Sequence, residues 1–313
     1  MNPTRTRGLA LAAATACISG VAIWVNSNGV AAYGDAAAYT TAKNTMAAAI
    51  IAAVFVAARS LSGATSVSVT RPSRSSHWWS LAYVAVLGGA VPFVLFFQGL
   101  ASTTSTQASF VHKTLIVWVA ILAVPLLKER LTWWHGVAVA LLLVGQWGLA
   151  GDVALVADPG TLMILGATLL WAVEVVVARR LLADVTPWTV SLVRMVGGSL
   201  ALLGWAAATG SLAAVVPHGA AQWGWVALTG LLLAGYVLTW HQALWRAPAV
   251  DVTAVLVLGA IVTAALAGAF DGTSLAAQAP WLALLAVGGG LMWVAPRRSE
   301  AERRSAHRSH VGT

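Results

Sequence analysis

The sequence predicts an all-α polytopic membrane protein whose ten transmembrane helices form two inverted five-helix repeats. Three observations predict it. Hydrophobic residues make up 59% of the chain and charged residues 9%, against roughly 25% charged in a soluble domain, and the mean hydropathy is +0.81. Long apolar runs recur along the chain, each near the roughly 20 residues that a helix needs to cross about 30 Å of hydrocarbon. Fifteen of the eighteen Lys and Arg residues fall in every second connection between those runs, and the alternate connections hold none.

In chain order the runs cover 8–25, 36–58, 78–98, 104–127 and 133–150, then 160–178, 187–208, 221–241, 248–268 and 278–295. Long continuous apolar runs require helices, because barrel strands read as short alternating segments. Arg5 and Arg7 lead into the first run as in a signal peptide. That run is longer than a usual h-region and has a counterpart in the second half, so it is read as retained. Gly88, Gly89 and Pro92 interrupt the third run, where a bend exposes backbone carbonyls to a cavity. Gly136 with Ala140 in the fifth run, and Gly288, Gly289 and Gly290 in the tenth, favour close helix contact within a protomer or between protomers of a homo-oligomer. Trp78, Trp79, Trp133, Trp134, Trp188, Trp223, Trp225 and Trp281 sit at run ends, the headgroup level that indoles prefer. Trp24, Trp118, Trp147, Trp171, Trp205, Trp240 and Trp245 do not all fit that belt, so some pack inside or line a cavity.

Arg5 and Arg7 precede the first run, Arg59, Arg71 and Arg74 follow the second, and Lys128 and Arg130 follow the fourth. Arg179 and Arg180 follow the sixth, Arg246 the eighth, and Arg297, Arg298, Arg303, Arg304 and Arg308 the tenth. The other connections carry Asp35, Asp152, Asp158 and Asp271. The positive-inside rule therefore expects a multi-pass protein of the cytoplasmic membrane with both termini, and a basic tail at 296–313, in the cytoplasm. A pI near 10.6 is explained by loops facing anionic lipid headgroups, which makes membrane lipids the expected partner of the basic residues, and not nucleic acid. The single cysteine, Cys17, excludes an internal disulfide and a cysteine-based metal site. No cofactor, metal or catalytic residue is expected.

The halves, 8–150 and 160–295, repeat. An offset of 144 pairs Gln98 with Gln242, Leu100 with Leu244, Ala120 with Ala264, Ala123 with Ala267 and Leu131 with Leu275. An offset of 151 pairs Lys43 with Arg194. Five helices per repeat is odd, so the halves oppose each other in the membrane, as in secondary transporters with a site near the midplane.

The stretch from Ala108 through Pro125, Leu127, Glu129, Arg130, Leu131 and Thr132 to Gly145 resembles the fourth and fifth helices of the EamA domain of the drug/metabolite transporter superfamily. Trp171, Arg179, Arg180, Arg194, Gln242, Ala243 and Leu244 carry the resemblance in the second half. The turn Lys128-Glu129-Arg130-Leu131 departs from symmetry, reading Gly272-Thr273-Ser274-Leu275 in the second half. The resemblance implies a cavity lined by helices one to four and six to nine, with helices five and ten peripheral, and a small organic metabolite as cargo. It also implies export, the direction of many bacterial members.

Five ionisable residues lie within the runs: Lys43, Lys113, Glu174, Arg194 and Asp251. A charge at the centre of a lone helix costs roughly 2.5–3.5 kcal/mol, so such residues face a wet cavity or a partner. Lys43 and Arg194 are also within reach of an interface and have snorkelling as an alternative. Asp251, just after Pro248, suits a helix start. Glu129, in the turn near Thr132, reads as structural. Counting residues at 1.5 Å each puts Glu174 and Arg194 at the same depth, about 10 Å below the inner surface, close enough to pair. Lys113 falls about 15 Å from the outer face on the same rise, and its repeat counterpart is Val257. It is the expected contact for substrate charge, with a permanent pair to Glu174 as the alternative. The expected substrate wall is Lys113, Lys43, Glu174, Arg194, His112, Trp118, Gln98 and Gln242. Three cations against one acid favour an anionic or zwitterionic small molecule. His112 and His241 carry proton coupling or simple packing as alternatives. A membrane enzyme acting on a lipid or lipid-linked substrate is the runner-up, for which the sequence shows no Asp-x-x-Asp or His-x-x-x-His pattern, and a channel or receptor, for which it shows no filter motif, is the third class.

Overall fold

The computed structural model describes residues 3–62, 67–151, 158–270 and 272–295. Asp152, Asp271 and the basic tail at 296–313, with Arg297, Arg298, Arg303, Arg304 and Arg308, lie outside the described residues. Ten helices are long and apolar enough to cross a membrane. The first half holds α1 (Pro3–Tyr33), α2 (Ala36–Leu61), α3 (Ser75–Ala101), α4 (Ser105–Leu127) and α5 (Trp133–Ala150). The second holds α6 (Pro159–Leu181), α7 (Pro187–Ala208), α8 (Gly219–Arg246), α9 (Ala249–Phe270) and α10 (Leu275–Val294). Apolar side chains such as Ile121 and Leu200 remain exposed on the outside of the bundle, as a hydrocarbon solvent permits.

Polar residues at the ends act locally. Asp158, Thr186, Thr104 and Ser274 each accept a backbone N–H of the following first turn, starting α6, α7, α4 and α10, and so satisfy donors that a helix start leaves open. Thr132 and His135 form a reciprocal capping box at the start of α5. The expectation that α1 stops near residue 25 is corrected by the structure, which continues it to Tyr33. Asn26 Nδ2 donates to the Ala22 carbonyl and Ser27 Oγ to that of Trp24, so the polar residues stay on the helix. Gly34, with φ of +71°, ends it, a conformation open to glycine.

The packing repeats with the chain. Helix α1 lies against α8 and α9, while α6 lies against their counterparts α3 and α4. Helix α2 packs on α7 and α8, α7 packs on α2 and α3, and α5 packs on α10. Advancing every helix by five places maps these contacts onto themselves, which is the pseudo-twofold of an inverted repeat. Both α4 and α9 are broken midway, at Thr114 and at Val257–Leu258, and the offset of 144 carries Thr114 onto Leu258.

Helix α3 bends where Gly88 and Gly89 predict, through a π-helical turn at Val84–Gly88. A second π turn, Val193–Gly197 in α7, lies against it. Here Gly198 brings α7 onto the backbone of Gly89, and a Cβ on Gly198 would lie 2.6 Å from the Gly89 carbonyl carbon. Of the other glycines, Gly288 meets α5 at the Ala138 carbonyl and Gly289 meets Leu258, within one protomer. Gly136 and Gly290 meet no other atoms of the chain within 4 Å, so they make no close contact within the protomer. Of the tryptophans outside the interfacial belt, Trp171 and Trp240 are buried, while Trp147, Trp205 and Trp245 are exposed.

Candidate substrate site

A central cavity lies between the halves, walled by α1, α2, α3 and α4 from one and by α6, α7 and α8 from the other. Four expected residues line it: Lys43, His112, Glu174 and Arg194. Glu174 and Arg194 form the ion pair that their depths predict. Arg194 Nε donates to Oε1 at 2.6 Å and Nη2 to Oε2 at 3.2 Å, with both side chains buried. The pair is locked from behind. A Cβ on Gly88 would sit 2.7 Å from the Glu174 carboxyl carbon, so only glycine leaves room for it. Trp171 Nε1 donates to the Gly88 carbonyl at 3.1 Å, and Asn44 Nδ2 to that of Gly89 at 3.3 Å.

Lys43 differs. It is 2% exposed, lines the cavity, and has no carboxylate or hydrogen-bond partner among the described residues. Its ammonium rests on aromatic faces, 3.4 Å from the Phe97 ring centre and 5.4–5.5 Å from those of Phe93 and Tyr39. Such contacts supply about 2 kcal/mol when dry, short of the several kcal/mol that removing an ion from water costs. The repeat explains the isolation. Gly8 packs on Arg246 in one half as Gly160 packs near Ser102 in the other, and this register places Ala22, next to Ile23, where the second half has Glu174. Both Ala22 and Ile23 line the cavity. The first half kept the cation and lacks the acid.

The remaining expected residues lie elsewhere. Lys113 is buried at the break of α4 and donates to Ser19 Oγ at 3.0 Å. Ser19 lines the cavity and Lys113 stands behind it, and the alternative pairing with Glu174 does not form. Gln98 is exposed on α3. The Gln242 side-chain oxygen accepts from Arg246. Trp118 donates to Thr114 Oγ1 and lines a separate apolar pocket with Phe110, Val117 and Leu165. His241 bonds Ser191 Oγ at 2.9 Å, between α8 and α7 and off the cavity wall.

Sequence reasoning passed over much of the wall. Phe93, Phe96 and Phe97 of α3 and Tyr236 of α8 line the cavity with Trp171 and Trp240. Phe96 and Trp240 are related by the offset of 144, the signal that would have found both. Also unforeseen is a buried cluster at the end of the bundle where α1 begins. Arg5 Nε meets Asp251 Oδ2 at 2.8 Å, His135 Nε2 lies 3.5 Å from Asp251 Oδ1, and Arg5 also donates to the Met292 and Trp293 carbonyls. Glu129, expected to serve its own turn, instead accepts from the Ala249 and Val250 N–H groups that open α9.

Ten helices long enough to span a membrane, in inverted halves around a central cavity that holds buried charges, define a polytopic membrane carrier. The chain belongs to the EamA-like transporter family, which matches residues 6–150 and 158–295. A crystal structure 18% identical in sequence superposes with a TM-score of 0.69 over 90% of this chain and 97% of that one, a likeness of fold. No curated protein matches.

Proposed function

We propose that this transporter moves a small polar organic metabolite that carries an anionic group, an anion or a zwitterion, across the cytoplasmic membrane by alternating access and in the export direction. Lys43, Glu174, Arg194 and His112 form the charged and polar wall of its site, and Lys113 supports that wall through Ser19. The single observation that carries the reading is Lys43, a buried ammonium on the cavity surface with no carboxylate partner among the described residues. A substrate carboxylate or phosphate would complete the pair, and closure around it would dry and strengthen the contact. The Glu174–Arg194 pair presents no net charge and holds α6 to α7 beside the site.

Proteoliposomes loaded with candidate metabolites test the reading by counterflow. Anions are expected to exchange in the wild type, and Lys43→Met to lose about tenfold or more in apparent affinity, the 1.5–3 kcal/mol of a charge-assisted bond. Lys43→Arg is expected to retain binding. Exchange restricted to cations, with Lys43→Met indistinguishable from wild type in a folded protein, would overturn it.

A further inference from the structure

The cavity says more about its occupant than its sign. Its two flanking walls are aromatic and come from counterpart helices of the two repeats. On one side Phe93 and Phe96 of α3 close on Trp171, with ring centres 5.2 and 5.7 Å apart. On the other Tyr236 and Trp240 of α8 stack at 5.9 Å with 19° between their planes. Helices α3 and α8 are exchanged by the pseudo-twofold, Phe96 and Trp240 by the offset of 144, and all five rings line the one cavity. An aromatic ligand in such a cavity gains ring pairing in addition to apolar burial.

The polar groups narrow the choice. Asn26 bonds Tyr39 and the Ala22 carbonyl, Thr229 bonds Tyr39 and the Trp225 carbonyl, and Ser19 accepts from Lys113. Among the described residues His112 Nδ1 is left without a hydrogen-bond partner on this wall, so the neutral groups open to a ligand are fewer than one with many hydroxyls requires. Both oxygens of Glu174 are bonded to Arg194, so no free acid awaits a ligand ammonium. Lys43, on the Phe97 ring beside Phe93, has neither an anion nor a hydrogen-bond partner among the described residues.

We propose that the substrate is an aromatic monocarboxylate, its ring held between the α3 and α8 aromatic walls and its carboxylate on Lys43, with no ammonium group required. This rests on the anion reading above and specifies the class of anion. Phenylacetate is the probe, with acetate, cyclohexylacetate, phenylalanine, phenylethylamine and glucose 6-phosphate as comparators. Their affinities are read by thermal shift of the purified protein and by competition with counterflow of radiolabelled phenylacetate. Phenylacetate is expected to bind about tenfold or more tightly than acetate, from the buried ring. It is also expected to exceed cyclohexylacetate and phenylalanine severalfold. Trp240→Leu is expected to erase the preference over cyclohexylacetate while a Lys43-dependent response to carboxylates persists. A folded wild type that binds acetate or glucose 6-phosphate through Lys43 without preferring the aromatic ring overturns this proposal and leaves the anion reading standing. Tightest binding of phenylalanine overturns it too. Binding of phenylethylamine alone, or of no anion at all, removes the anion reading and this proposal together.

Discussion

The two ends of the bundle follow one plan and are tied together by different chemistry. Where α1 and α9 begin, Arg5 and Asp251 make a buried ion pair, backed by His135 and by Glu129 at the start of α9. His77 and Asp184 meet at 3.3 Å on the same end. At the other end the equivalent helices are α6 and α4, and the residue that the offset of 144 sets against Asp251 is Gln107. Its amide donates to Thr161 Oγ1 at 2.6 Å and reaches Asp158 at 3.5 Å, while Tyr39 joins Asn26 and Thr229 across α2, α1 and α8. Among the described residues no ion pair lies at that end. Inversion duplicates a backbone arrangement and leaves its side chains free to diverge, so a symmetric fold carries an unsymmetric pair of closures.

Substitutions at the two ends are expected to differ in cost. Asp251→Asn strands a largely buried Arg5, and a loss of about 3–5 kcal/mol is expected, read as a lowered unfolding temperature in detergent. Glu129→Ala removes the acceptor for the first N–H groups of α9, expected to cost about 1–2 kcal/mol in the same assay. Gln107→Ala, at the position matching Asp251, is expected to cost about 1 kcal/mol, the worth of a neutral hydrogen bond. Equal losses from Asp251→Asn and Gln107→Ala would show the two ends to be energetically alike. The smallest effect is acid sensitivity at the neutral end. Hydrogen bonding to the Thr161 hydroxyl, then to its N–H, holds the Asp158 carboxyl below its ordinary 3.8. Its folded value is depressed, so its contribution is complete above 3.8 and is lost as the pH falls further. Melting curves at neutral and acid pH, with Asp158→Asn beside wild type, are expected to converge in acid.

The ten spans were legible because length and hydropathy alone specify a membrane helix. The pairing of Glu174 with Arg194 was legible because depth follows from counting residues along α6 and α7. Which way a side chain faces did not follow. These helices are apolar almost all round, so no polar stripe reveals the inward face. Depth placed Lys113 at the midplane, but rotation about α4 turns it to Ser19. Gln98 and Gln242 showed the repeat correctly, yet symmetry says that two residues correspond and not that either meets the cavity. The Arg5–Asp251 contact joins residues 246 positions apart and has no local signature.

The missing acid opposite Lys43 also bears on ancestry. Two antiparallel copies of the first half would set two uncompensated lysines across the axis, and two copies of the second would set two self-neutral pairs there. A lysine on one side of the cavity facing an ion pair on the other arises only when the halves differ. If the chain grew from a duplicated gene that once assembled as a homodimer, fusion freed each half to mutate alone, and polarity at the centre became heritable as a difference between them.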